Sequence, residues 1–302
     1  MTPLPRRPRG AVGWLNATFR HWSLAPAVLL LVLLTVFPAL NLLRMSVSTI
    51  EFKGGTDVWT FAPRHNLDAM LADPSLGAAI VNTAIFVVVA VAVEMVLGLA
   101  LALLVGGMAR GKGLMRTIMI VPILVPPVAI GSMFKLMYNA DFGLFNQMLG
   151  AVGLGPVSWL GSTKLALWSV ILVDVWHWVP FVFLILFAAV EGLPRDVLEA
   201  GRVDGATRWQ LLTRVTLPLL MPAITVALLF RSILAFKAFD EVFLLTGGGP
   251  GTSSELLSLH LYRVFFEQNQ LGYGAMLSVL TIVAVLSLLA AGRGAAGRGR
   301  AR

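Results

Sequence analysis

Long apolar runs alternate with short polar segments along almost the whole chain. A helix needs about 20 apolar residues to cross the roughly 30 Å hydrocarbon core of a bilayer, and six runs approach that length. They cover about 24–43, 78–105, 117–138, 165–190, 222–246 and 273–291. Because backbone groups inside lipid must pair within their own segment, each run is predicted to be a helix. The pattern predicts an all-α integral membrane protein with six transmembrane helices.

Composition supports this prediction. The 302 residues are 58% hydrophobic and only 13% charged, with a mean hydropathy of +0.85, whereas soluble domains are about a quarter charged. The chain has no cysteine, which excludes disulfides, thiol chemistry and cofactors held by sulfur.

The positions of Lys and Arg predict the orientation of the spans. With the N-terminus in the cytoplasm, fifteen basic residues fall in cytoplasmic segments and five in outer loops. The cytoplasmic set is Arg6, Arg7, Arg9, Arg20, Arg110, Lys112, Arg116, Arg195, Arg202, Arg208, Arg214, Arg293, Arg298, Arg300 and Arg302; the outer set is Arg44, Lys53, Arg64, Lys164 and Arg263. This positive-inside bias predicts that both termini are cytoplasmic. Topology and anionic lipid headgroups account for the net charge of +8, so no nucleic acid partner is expected.

The chain divides into a basic cytoplasmic segment (1–23), a membrane domain (24–291) and a tail (292–302) of Gly, Ala and Arg that is expected to be disordered. A signal peptide is the alternative for the first apolar run. That run is longer than a typical signal core and no small-residue cleavage site follows it, so we expect it to remain as the first span.

The polar segment 191–221 interrupts the apolar pattern on the predicted cytoplasmic side. Pro194 suits the first position of a short helix, Asp196 suits its first turn, and Gly205 suits its end. A second amphipathic piece presents Trp209 before Leu217-Pro218 leads back into the membrane. The physics leaves two interpretations open: a docking element for a soluble partner, or an ordinary interfacial helix under lipid.

The same segment resembles the EAA loop of permease subunits in binding-protein-dependent ATP-binding-cassette (ABC) importers. That loop reads Glu-Ala-Ala, three residues, Gly, nine residues, Ile-x-Leu-Pro. The matching positions here are Glu199, Ala200, Gly205, Leu217 and Pro218, with Val215 in the place of Ile. Gly201 departs from the pattern by replacing the third small residue, which keeps close packing but weakens the helix by up to about 1 kcal/mol.

A second resemblance, to maltose-type permeases for sugars and glycerol phosphate, extends over about 78–290. It rests on residues 239–250, Leu261-Tyr262, Leu271-Gly272-Tyr273-Gly274, Asn82-Thr83, Glu94 with Gly98, and Trp176 with Pro180. The family implies a type I ABC importer permease fold and alternating access. It also implies a heterodimer with a second permease, two cytoplasmic ATP-binding subunits and an external solute-binding protein. ATP and Mg would be bound by the partner ATPase, and this chain would bind no cofactor.

The resemblance also implies roles within the loop. Glu199 would make a charged contact with an ATPase groove, beside Ala200 and Gly201. Asp204 and Gly205 would form the bend between two coupling helices, and Leu217-Pro218 would be the rigid junction to the fifth span.

One motif resembles a phosphate-binding loop but lacks two of its features. Residues 106–113 have the spacing Gly-x4-Gly-Lys, yet Gly113 replaces the required Ser or Thr and a membrane helix precedes the motif instead of a strand. A basic inner loop is the favoured interpretation, and the chain is not expected to hydrolyse ATP.

No pattern indicates an enzyme. The four histidines, His21, His65, His177 and His260, are isolated in sequence and lack metal-ligand spacing. The chain also has no Gly-x-Ser-x-Gly nucleophile turn. A transport subunit without a catalytic site is therefore expected.

Polar residues within the spans are the remaining candidates, because ionisable groups at depth face a cavity or a partner. Asp174, His177, Trp178 and Phe181 share one face of the fourth span. They suit either a sugar site or a structural hydrogen-bond cluster with an interfacial aromatic belt. In the fifth span, Lys237, Asp240 and Glu241 share a face; an intrahelical Lys-carboxylate pair is favoured over ligand contact. Glu94 is expected to pair with a neighbouring helix.

A self-sufficient secondary transporter or channel is the competing hypothesis. It would commonly show broken spans in two repeated halves. Pro122 and Pro126-Pro127 interrupt the third span, but no matching break occurs in a second half. Dependence of transport on ATP and an ATPase would separate the two hypotheses. A membrane enzyme, the third possibility, has no supporting motif.

Overall fold

Helices make up about three quarters of the chain, as the apolar runs predict. The computed structural model describes the backbone of residues 11–300. The helices are α1 (Ala11–Ser46), α2 (Pro63–Ala72), α3 (Pro74–Gly106), α4 (Lys112–Leu124), α5 (Pro127–Met137), α6 (Leu144–Ala151), α7 (Ala166–Glu191), α8 (Arg195–Val203), α9 (Arg208–Leu211), α10 (Leu217–Phe236), α11 (Asp240–Leu245), α12 (Leu257–Tyr262) and α13 (Leu271–Arg300). π-Helical turns follow α9 (Leu212–Thr216) and α12 (Arg263–Glu267), and the strands are β1 (Ser48–Lys53) and β2 (Thr56–Phe61).

The helices account for the predicted spans with one difference in count. Four are long and apolar enough to cross a membrane: Ser23–Ser46 of α1, α3, α7, and the continuous helix Arg208–Phe236. Helices α4 and α5 reach that length and hydropathy only as a pair, which is bent by 90° at Pro126 and Pro127, as those prolines predict. The sixth predicted run matches a shorter apolar helix, Leu271–Ser287. The number six therefore stays a prediction.

The fifth predicted span, 222–246, is not one helix. α10 ends at Phe236, residues 237–239 leave the helix, and α11 begins at Asp240. The hydroxyl of Ser258 donates a hydrogen bond to the freed carbonyl of Ala238. A side chain from α12 thus stabilises the break, which the apolar pattern does not reveal.

Helices α3 and α7 form the centre of the packing. Gly98 of α3 permits their close approach, since a Cβ there would lie 2.7 Å from Val182 Cγ1 and 3.0 Å from the Phe183 amide nitrogen. One apolar cluster surrounds this pair towards α5, α11 and α12. A second lies towards α10.

The two ends of the bundle differ in structure. At one end, Lys112 Nζ lies 2.7 Å from Glu191 Oε1, which joins the start of α4 to the end of α7 just before segment 191–221. We call this the coupling end. The opposite end carries the antiparallel β1–β2 hairpin, whose register pairs Ser48 with Phe61, followed by α2.

The two ends of the chain are predicted to be a basic cytoplasmic segment and a disordered tail. Residues 1–10, which hold three arginines of the predicted basic segment, lie outside the described residues, as do 301 and 302. Residues 292–300, where a disordered tail is expected, continue α13 as helical backbone.

Candidate functional site

Segment 191–221 forms two short helices joined by a tight turn. Pro194 precedes α8, and Asp196 lies in its first turn. Gly205 adopts a left-handed φ of +82°, which a residue with a Cβ would resist. Its amide donates to Arg202 O (3.1 Å), and the Ala206 amide donates to Gly201 O (3.0 Å). These two bonds make a Schellman motif, so the predicted bend at Gly205 has a defined hydrogen-bonded geometry.

Gly201 is explained by the packing of α8 on α9. A Cβ at this position would lie 2.6 Å from Leu211 Cδ2, and Leu211 is buried. Gly201 therefore lies at a close contact between α8 and α9, which is what a small residue at this position of the EAA pattern predicts.

The second short helix continues directly into the fifth span. Thr207 and Gln210 form a capping box at the start of α9. A π-helical turn follows, in which the Leu217 amide donates to Leu212 O, five residues earlier. Pro218, which has no amide donor, lies at the start of α10. The helix is continuous from Arg208 to Phe236, so the Leu217-Pro218 junction is a widened turn within one rigid element.

The surface of this segment combines a carboxylate with bare apolar side chains. Glu199 and Ala200 are exposed, as is Asp204, which caps the end of α8. Val203 is 87% exposed and Trp209 is 71% exposed. Exposed apolar side chains beside charged ones are typical of a protein-binding surface.

A buried ionic cluster joins three spans near the middle of the bundle. Arg231 of α10 is fully buried. Its Nη2 donates to Glu94 Oε1 of α3 at 2.8 Å and also to Asp174 Oδ2 of α7. Its Nε lies 2.5 Å from Glu94 Oε2, although neither atom has an aligned hydrogen-bond partner. The prediction that Glu94 pairs with a neighbouring helix is confirmed.

The other members of the predicted α7 face surround this cluster. His177 Nδ1 lies 3.0 Å from Glu241 Oε1 of α11. The Arg231 guanidinium lies over the Trp178 ring, 5.0 Å from its centroid, and Trp178 meets Phe181 edge-on at 5.7 Å. Asp174 and His177 are thus buried in pairs, while Trp178 and Phe181 are half-buried.

The predicted intrahelical pair in the fifth span is wrong. Lys237 precedes the break after α10, so it does not share a helix with Asp240 and Glu241. Glu241 turns inward to His177, whereas Lys237 and Asp240 are both exposed. The ion pairs among described residues do not include Lys237 or Asp240.

Arg231 is the functional residue that sequence reasoning missed. It stands alone in the apolar stretch Ala227 to Ala235, and an isolated charge at such depth marks a buried partner. The signal was therefore present, but the choice between Glu94 and Asp174 as its partner required the three-dimensional arrangement.

A second polar network lies at the end opposite the coupling end. Glu255 is buried and binds His260 Nδ1 (2.9 Å) and Arg263 Nη1 (2.5 Å) through its two carboxylate oxygens. His260 Nε2 lies 3.1 Å from Asp73 Oδ2, which also accepts a hydrogen bond from the Tyr273 hydroxyl (2.9 Å). His177 and His260 are therefore not isolated in space. No group of His, Asp and Glu within the described part of the chain has the geometry of a metal site.

The phosphate-loop-like motif spans the end of α3, a short turn and the start of α4. α3 ends at Gly106 and Gly111 precedes α4 with a left-handed φ. The element directly before the motif is the helix α3 and not a strand, so its surroundings differ from those of a nucleotide site.

Comparisons with known proteins agree with this geometry. Over 205 residues the chain is 39% identical to a trehalose/maltose transport system permease protein of Thermococcus litoralis. The matched region covers 68% of this chain and 69% of the relative. It is 34% identical to a trehalose transport system permease protein of Mycobacterium tuberculosis over 88% of this chain and 85% of the relative.

Solved structures show the same fold. One chain of a bacterial ABC transporter for alginate, crystallised with an alginate pentasaccharide-bound periplasmic protein, superposes with a TM-score of 0.78. The match covers 93% of this chain and 95% of that chain, at 20% sequence identity. The fold is therefore that of a type I ABC importer permease, as predicted.

The family model for binding-protein-dependent transport system inner membrane components matches residues 94–293. This range contains α8 to α12, the buried ionic cluster and, of the polar network around Glu255, every named member except Asp73. The expectation of a transport component, and not an enzyme, is confirmed. The chain is a multi-pass membrane protein that belongs to this family of permease components.

Proposed function

We propose that this chain is the membrane-spanning subunit of an ATP-driven importer that moves a sugar or related polyol by alternating access. The observation that supports the proposal is the geometry of segment 191–221, which we call the coupling segment: an exposed surface on α8 is joined, through a Schellman turn and α9, to an apolar helix long enough to span a membrane. The relatives named for trehalose and maltose support a carbohydrate cargo.

The assembly we propose contains this chain, a second permease, two ATP-binding subunits and an external solute-binding protein. ATP and Mg would bind to the ATPase partners. The excess of basic residues at the coupling end supports a bacterial cytoplasmic membrane location with both termini in the cytoplasm.

The coupling mechanism that we propose depends on the rigidity of the continuous helix Arg208–Phe236. ATP binding would draw the ATPases together and pull α8 through contacts at Glu199, Val203 and Trp209. Because Arg208–Phe236 is one helix, a displacement at the coupling end would move α10 as a body. Arg231 then connects that movement to α3 and α7.

The substrate path we propose uses the exposed and half-buried members of the predicted set. Lys237 and Asp240 are free to meet solute hydroxyls, and Trp178 and Phe181 offer ring faces. Asp174 and His177 would hold this lining in position, since Asp174 is buried against Arg231 and His177 is buried against Glu241.

The test is Glu199→Lys in a membrane that also contains the ATPase and the second permease. We expect normal insertion of the variant, loss of ATPase co-purification and loss of uptake. Asp141→Lys, the same charge change at an exposed residue far from the coupling end, should retain co-purification. Normal uptake and normal ATPase co-purification in Glu199→Lys would contradict the docking role.

A further inference from the structure

Four aromatic side chains form a continuous track beside the break between α10 and α11. Phe239 and Phe243 stack with ring centroids 5.3 Å apart. Tyr262 lies 5.7 Å from Phe243, and Phe266 lies 5.4 Å from Tyr262. We call these four residues the aromatic track.

The track remains open on one side. Phe243 is 42% exposed and Phe266 is 67% exposed, while Phe239 and Tyr262 are half-buried. Glu241 and Val242, on the other face of α11, are buried. Helix α11 therefore packs through one face, while Phe243 on its other face stays partly exposed.

Both ends of the track are polar. The first ring, Phe239, lies between the exposed residues Lys237 and Asp240. The last ring, Phe266, is followed directly by four exposed polar residues, 267–270. Charged groups within a membrane domain face water or a partner rather than lipid, and charged residues are depleted at the core of a permanent interface. The surroundings therefore favour a wet passage.

Local backbone geometry supports a functional role for the outer part of the track. Phe266 lies in the π-helical turn Arg263–Glu267, and its widened turn is closed by the Gln268 amide donating to Arg263 O (2.8 Å). Single π-helical turns occur frequently at functional sites. The side chain of Arg263 forms an ion pair with Glu255, which fixes the first residue of the π-helical turn.

We propose that the aromatic track binds the pyranose rings of the carbohydrate cargo on their way from the outer end to the break after α10. Partly exposed aromatic rings suit contact with the apolar C–H faces of sugars. Lys237, Asp240 and the Tyr262 hydroxyl are placed to bind sugar hydroxyls. The inference rests on the proposed function and adds a binding site outside the α7 face.

Cysteine labelling tests whether the track is wet and meets cargo, because the chain has no cysteine of its own. Phe243→Cys and Phe266→Cys would be placed separately in the assembled transporter and treated from outside with a membrane-impermeant thiol reagent. We expect both to be labelled, and labelling to slow several-fold when trehalose- or maltose-loaded binding protein is added. Leu31→Cys, on the exposed apolar surface of α1, should stay unlabelled.

Uptake by ring variants tests the stacking itself. Phe243→Leu and Phe266→Leu should each reduce trehalose or maltose uptake about 3- to 10-fold, with normal assembly and normal basal ATP hydrolysis. Phe243→Tyr and Phe266→Trp, which keep a ring, should stay within about twofold of wild type.

The contrary outcomes are distinct from one another. Unlabelled cysteines, or Leu variants with full uptake, would overturn the track while leaving the proposed function intact. Loss of the second permease from both Leu and ring-retaining variants would make the track a subunit interface and overturn the inference. A wild-type transporter that moves no carbohydrate with ATP would overturn the proposed function and this inference together.

Discussion

Removing the positive charge of the buried ionic cluster is expected to destabilise the protein more than any other loss of an ion pair. Arg231→Met would leave Glu94 and Asp174 buried, close together and without a cation. Breaking a buried ion pair by removing one partner costs about 3–5 kcal/mol. Because two carboxylates lose the same partner, we expect a loss in the free energy of unfolding at or above the upper part of that range.

The surface pair between Lys112 and Glu191 provides the matched control. Its side chains are 31% and 43% exposed, so Lys112→Met should cost about 0–1 kcal/mol. The triple variant Glu94→Gln, Asp174→Asn, Arg231→Met removes all three charges of the buried ionic cluster. It should recover most of the stability lost by Arg231→Met, because no unpaired charge remains buried.

Unfolding in lipid–detergent micelles under increasing denaturing detergent measures these differences. Equal losses for Arg231→Met and Lys112→Met would show that the cluster is not held as an ion-pair network. A triple variant as unstable as Arg231→Met would show that the loss comes from packing and not from unpaired charge.

Two further predictions concern packing and protonation. Gly98→Ala should lower the free energy of unfolding by about 1–3 kcal/mol, because the new Cβ would lie 2.7 Å from Val182 Cγ1. Gly77→Ala is the control: its Cβ would have no atom within 4 Å, so this variant should be neutral or slightly stabilising. Equal thermal stability of the two variants would contradict the close approach of α3 and α7. Burial acts to raise the pKa of Asp73, but hydrogen bonds from the Ser75 amide and the Tyr273 hydroxyl, with His260 nearby, together lower it below its ordinary value of 3.8. Its carboxylate therefore contributes stability above that pH and loses it as pH falls through the lowered pKa. The difference in melting temperature between wild type and Asp73→Asn should shrink as pH falls below about 3.8, and a constant difference from pH 7 to pH 3 would refute this.

Local features could be predicted from the sequence because their causes are local. Gly205 can adopt a left-handed turn that other residues resist, and Pro126-Pro127 removes amide donors that a straight helix needs. Apolar runs of sufficient length must be helices in lipid, whatever their neighbours. The turn and the close helix contact within the EAA-like segment could be predicted for a similar reason, since all of its residues lie within one short stretch.

Features that depend on pairing between distant residues could not be predicted in detail. Arg231 lies 137 residues from Glu94 and 57 from Asp174 in the chain, and helical periodicity does not state which spans are neighbours. The break after Phe236 depends on Ser258 and on the attraction of Glu241 to His177. The same break removed Lys237 from the face that a continuous helix would give it.

The α7 face shows both what helical periodicity can predict and what it cannot. The period of 3.6 residues correctly placed Asp174, His177, Trp178 and Phe181 together. It did not reveal that the first two would be occupied by Arg231 and Glu241. Of the two interpretations left open by the sequence, the buried pairs favour a structural cluster for Asp174 and His177.

ATP-dependent uptake in proteoliposomes is the most direct test of the central claim. Vesicles would contain this chain with its second permease and ATPase, the loaded binding protein outside and ATP with Mg inside. We predict uptake of trehalose or maltose that requires ATP, the ATPase and the binding protein, and that a proton or sodium gradient cannot replace. Uptake by this chain alone, driven by such a gradient without ATP, would contradict the account and favour a secondary transporter.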